Sequence, residues 1–154
     1  MLVRRSSLLV AGCFVLLAGL AGPAAAQMPN LDTVEGPSAG EHTTLMISPY
    51  AITDDVSARA LGVRSPNGTR FALTLIGIAR TDSIRLSLAG ETLPIEDITR
   101  PAEGEVGPTQ VYLSQKTFLT LADRSGARIQ IGNQTARIPL QMRKEMQKIF
   151  ERVV

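Results

Sequence analysis

The sequence predicts an α+β fold: a mainly antiparallel sheet of about six strands, with a short helix and a C-terminal amphipathic helix packed on one face. Three observations predict it. Residues 109–154 read strand, short helix, strand, tight turn, strand, long helix, with the apolar period changing between two and 3.6 residues. Residues 56–80 read as two strands joined by a turn at Asn67-Gly68. Strand-like segments also come first along the chain, with the helices in its second half. A β-sandwich that ends in a helix is the alternative that the same pattern allows.

Taken in order, the chain begins with a short basic region, MLVRR, followed by a mostly small and apolar run from Ser6 to Gly22 and an A-x-A site at Ala24-Ala25-Ala26. That order is the signature of a secretory signal peptide, with cleavage expected after Ala26. Pro23 and the small-residue site argue against a retained membrane anchor. Arg4-Arg5 lacks the flanking residues of a twin-arginine signal. Val10-Ala11-Gly12-Cys13 resembles a lipobox, which makes a lipid anchor on Cys13 an alternative, although the apolar run continues after Cys13.

Cleavage there changes the composition. It removes Cys13, the single cysteine, so no disulfide or thiolate chemistry remains. It also removes Arg4 and Arg5 from the 16 basic residues, which leaves as many as the 14 acidic ones. A formal charge of zero argues against a nucleic-acid partner, which needs a net basic stripe. The remaining length suffices for one domain. The expected organisation is therefore a signal peptide over 1–26, a flexible leader over 27–42 and a single globular domain over 43–154.

The leader, QMPNLDTVEGPSAGE and the residue after it, mixes Pro, Gly, Asn, Ser and acids with no period. Residues 43–50 read as the first strand, with Leu45 and Ile47 on one face and Pro49 near its end. Asp54-Asp55 suit a turn. Residues 56–64 and 70–80 form the predicted hairpin, in which Asn67-Gly68 supplies positive φ angles. FALTLIGIA is apolar on both alternations, as expected of a strand buried on both faces in the middle of the structure. Ile84, Leu86 and Leu88 alternate with outward Arg85 and Ser87, and residues 92–95 suit a further short strand.

Residues 99–108, TRPAEGEVGP, hold two prolines, two glycines and two glutamates and read as a surface loop or the seam between two halves. Val111-Tyr112-Leu113 follow, then a helix capped by Ser114 with Phe118, Leu119, Leu121 and Ala122 inward. Arg128 and Gln130 alternate with Ile129 and Ile131, and a turn at 132–134 leads into 136–138. In the last helix Met142, Met146, Ile149, Phe150 and Val153 form one stripe, with Arg143, Lys144, Gln147, Lys148, Glu151 and Arg152 opposite. Pro139 suits its first turn. The basic side chains also allow a membrane-surface reading, which the glutamates and the single aromatic anchor, Phe150, weaken.

No catalytic constellation, cofactor motif or metal-ligand spacing is present in the sequence. His42 stands alone at the start of the first strand, and a metal or general-base role needs partners at fixed spacing. Asp54-Asp55 and Glu96-Asp97 are neighbours in sequence and diverge on a strand or helix. Ser114 and Lys116 do not have the spacing of a Ser-x-x-Lys pair. The sequence therefore points to an exported, non-catalytic module, periplasmic or secreted, that binds a protein or envelope partner or has a structural role in an envelope assembly. An envelope enzyme with dispersed acidic residues is the alternative. The candidate interaction residues are Arg100, Glu103 and Glu105 in the 99–108 loop, since loops on a rigid scaffold carry recognition.

Overall fold

The computed structural model describes residues 31–35 and 42–154. The expected signal peptide, Cys13 and most of the expected leader lie outside the described residues. The strands are β1 (Leu31–Glu35), β2 (Thr43–Ile47), β3 (Tyr50–Ala51), β4 (Ser57–Ser65), β5 (Gly68–Ile76), β6 (Ile84–Leu88), β7 (Glu91–Leu93), β8 (Asp97–Thr99) and β9 (Thr109–Leu113). Helix α1 (Gln115–Asp123), strands β10 (Ala127–Ile131) and β11 (Gln134–Arg137), and helix α2 (Leu140–Val153) complete the chain.

The strands form two antiparallel sheets, so the fold is α+β with a mainly sheet core. The larger sheet runs β1-β2-β4-β5-β9-β8, with β3 also paired to β4; the smaller runs β11-β10-β6-β7. About six strands in one sheet is thus corrected to two sheets of seven and four strands among the described residues. Alternation identifies a strand but not its partner: β6 pairs with β10, far along the chain, and with β7, not with β5.

The leader needs a second correction. Its residues 31–35 form β1, in register from Leu31↔Ile47 to Glu35↔Thr43. An open edge of β2 offers unpaired backbone groups to any extended neighbour, and the surrounding Pro, Gly and Asn hide so short a strand in the sequence. The expected first strand is broken at Ser48-Pro49. Before the break it pairs with one end of β4 (Thr43↔Arg64), and after it with the other (Tyr50↔Ala58).

The long hairpin forms as expected, with Ser65↔Gly68 closing it. Only Gly68 takes a positive φ there, +116°, so Asn67 does not share that role. Phe71 to Leu75 are all buried, and β5 lies between β4 and β9 in the middle of the large sheet. Gly62 on β4 faces α2, where a Cβ would run into the Ile149 methyl group.

Both helices lie on the core face of the large sheet, α2 against β2 and β4 and α1 against β5 and β9. The two helices also pack on each other. Phe71 stacks on Phe118 of α1 at 4.4 Å between ring centroids and on Phe150 of α2 at 5.7 Å. Each such pair adds about 0.5–1.5 kcal/mol beyond the area it buries. Ser114 caps α1 by accepting a hydrogen bond from the Thr117 N–H at 3.1 Å. Leu119, expected inward, is only partly buried, and Thr117 is buried in the core instead.

Helix α2 buries two charged residues, of which Arg143 was expected on the opposite face. Arg143 is buried, and its guanidinium donates to the Asp123 carbonyl at the end of α1, 3.4 Å away. A cation suits a helix C-terminus, where unpaired carbonyls concentrate negative potential. Glu145 is also buried, beside Gln141 and Tyr50. The apolar residues of both sheets and both helices join in one core.

Candidate functional site

The 99–108 loop packs against the loop that follows β5. Gly77 turns that second loop at φ +91°. Asp82 then closes it twice: its side chain accepts from the Ala79 N–H at 2.9 Å, and its own N–H donates to the Ala79 carbonyl at 3.1 Å. Arg100 fastens the two loops together. Its guanidinium donates to the Asp82 carbonyl at 2.6 Å and to the Ala79 carbonyl at 3.4 Å. Of the three expected interaction residues, Arg100 therefore holds the site in shape.

The other two are presented to solvent. Glu103 pairs with Arg80 at 3.7 Å, and its side chain is 95% exposed. An ion pair that exposed contributes about 0–1 kcal/mol, so Glu103 is free to exchange it for another partner. Glu105 is exposed too, and its N–H donates to the Ala102 carbonyl at 3.0 Å in a tight turn with Gly104 at φ +81°. Val106, next to it, is fully exposed. Between the loops lies a cleft of about 440 Å³ bounded by Gly77, Arg80, Pro101, Glu103 and Val106.

The sequence did not single out Val106, Asp82 or the 77–82 loop. An apolar residue between Glu105 and Gly107, in a segment with no strand or helix period, was a usable signal for Val106. The pairing of two loops 18 residues apart, from Asp82 to Arg100, had none.

A second cleft, of about 510 Å³, opens where β8 and β9 meet the start of α1; Arg70, Glu96, Asp97, Tyr112 and Ser114 are among its lining. It brings Glu96 and Asp97 to one place, although both are exposed. The Tyr112 hydroxyl donates to Gln110 at 2.6 Å, and Ser114 is engaged in capping α1. The arrangement can hold a polar ligand through two carboxylates and one guanidinium. Asp54 and Asp55 sit apart in an exposed bend held by Thr53 and Val56, and His42 is exposed at the start of β2. Among the described residues no three His, Cys, Asp or Glu side chains gather as metal ligands would, and no helix is long and apolar enough to cross a membrane. Comparison with protein-family models, with curated proteins and with solved structures found no match.

Proposed function

We propose that this chain is an exported, non-catalytic module that binds a protein partner in the cell envelope or outside it through the paired 77–82 and 99–108 loops. One observation carries the reading: a loop locked at its base by Arg100 presents a fully exposed Val106 beside Glu103 and Glu105. An apolar side chain gains nothing from water, whereas a partner's surface removes it from water at about 25 cal/mol per Å². Two carboxylates around it suit the polar rim of an interface, and a pre-shaped loop loses little freedom on binding. The signal-like sequence over 1–26 supports export.

The second cleft favours the enzyme alternative through Glu96 and Asp97. An acid or base acts within about 2.6–3.2 Å of the proton it moves. The lining of that cleft holds no His, Cys or further acid beside the pair to tune it.

The test is the double variant Val106→Asp with Glu103→Lys. Both side chains are exposed, so stability should change by less than about 0.5 kcal/mol at each site. Proteins cross-linked to the wild-type chain in its native cells should be missing from the set recovered with the variant. The same partners at the same yield would remove the loop pair as the binding surface.

A further inference from the structure

The outer face of the small sheet carries a charge arrangement that packing does not explain. Side chains alternate along β10: Ala127, Ile129 and Ile131 are buried, so Arg128 and Gln130 stand on the opposite face. The register extends that face across three strands. Arg128 lies directly opposite Arg137 of β11 on one side and Ser87 of β6 on the other. Gln130 lies opposite Thr135 and Arg85, which makes Arg85 the diagonal neighbour of Arg128. All three arginines are exposed. No carboxylate among the described residues pairs with any of them; the ion pair formed there is Arg80–Glu103, on another part of the surface.

Like charges directly opposite on neighbouring strands are destabilising, with Cβ atoms only about 4.5–5.5 Å apart. A threonine or glutamine at either position would pair across the strands without that penalty. Over the pair lies a cleft of about 480 Å³, bounded by Arg128, Arg137, Ser87, Thr135, Gly90 and Gly126. Two guanidinium groups and two hydroxyls thus converge on one concave space, and every one of these side chains offers hydrogen-bond donors.

We propose that this face is an anion site that takes a phosphate group, with Arg128 and Arg137 gripping it from two sides and Arg85 adding to the field. A guanidinium presents two parallel N–H donors that match a pair of phosphate oxygens. A carboxylate has a single edge and satisfies one such fork; a tetrahedral phosphate offers edges to both. The hydroxyls of Ser87 and Thr135 reach the oxygens that remain. The cleft exceeds one phosphate in size and so admits the group on a larger molecule, either a soluble phosphoester or a lipid headgroup. The site is separate from the paired loops, and its test is independent of theirs.

The wild-type full chain and the Arg137→Gln variant are titrated with inorganic phosphate at constant ionic strength, and arginine side-chain NMR signals are followed. Both proteins are also co-sedimented with vesicles of phosphatidylglycerol and of phosphatidylcholine. Arg128 and Arg137 signals should shift saturably in the wild type, with binding at least about tenfold weaker in the variant, the cost of one charge-assisted bond. Free of ligand, the variant should melt no lower than the wild type, because the cross-strand repulsion is relieved. That separates lost binding from a lost fold. Saturation by phosphate without vesicle binding assigns the site to soluble phosphoesters. Phosphatidylglycerol binding that disappears in the variant assigns it to a headgroup. No saturable response to either probe, equal responses in both proteins, or a variant that melts well below the wild type overturns the proposal.

Discussion

Gly62 shows how one missing side chain sets the distance between a helix and a sheet. With a Cβ there, the Ile149 methyl group would have to move, and Val153 would lie 3.2 Å away. Both neighbours are fully buried, so neither has room to retreat. Gly62→Ala should therefore cost about 1–3 kcal/mol, the usual range for overpacking, read from the urea midpoint. An unchanged midpoint would mean that α2 slides on the sheet. Tyr50 gives a second residue-scale expectation. Its hydroxyl is pushed up to about 12, by burial first and then by the hydrogen bond and charge of the Glu145 carboxylate. The fold favours the neutral phenol, so the folded chain keeps a proton that the unfolded chain releases near pH 10. This contribution to stability is intact below pH 10 and is lost as pH rises through about 12. Denaturant midpoints should fall across that window, and Tyr50→Phe should flatten the fall; equal slopes would assign the loss to other groups. Glu145 itself was within reach of the sequence. It lies three residues after Met142 and four before Ile149, on the buried stripe, and only its charge argued for the other face.

At the scale of elements, α2 covers β2 and β4 and packs against α1. A buried Met or Ile cut to Ala costs about 2–5 kcal/mol, against a total of about 5–15 kcal/mol for a domain. Removing residues 142–154 takes away Met142, Met146, Ile149, Phe150 and Val153 together, along with the carbonyl that accepts from the Thr69 hydroxyl at 3.0 Å. Cooperative thermal unfolding should disappear; a truncated chain that melts near the full-length temperature would show α2 to be an appendage. Individual elements were legible because local signals specify them: the period of α2, the Ser114 cap, the turn before Gly68, the double-sided burial of β5. Their assembly was not. That Arg128 faces outward follows from alternation, but that it faces Arg137 depends on a register between strands. That Arg100 joins two loops depends on closing a chain segment whose ends carry no mark. The candidate site was visible as a loop and invisible as a pair of loops.

On the scale of the whole molecule, the two sheets and two helices share one core against which Ile78 of the 77–82 loop packs, while Glu103, Glu105, Val106 and the arginine face stand exposed outside it. Variants of these exposed residues can therefore be made without disturbing the fold. The position of α2 along the chain has a further consequence, one of timing. The strands it covers are synthesised before it, and Val153 fills the core beside Gly62. Until residues 142–153 have been made, β2 and β4 lack the helix that covers them, and that part of the sheet stays short of its native packing. A sheet that waits for a helix encoded further along the chain stays open to being drawn out straight for as long as it waits.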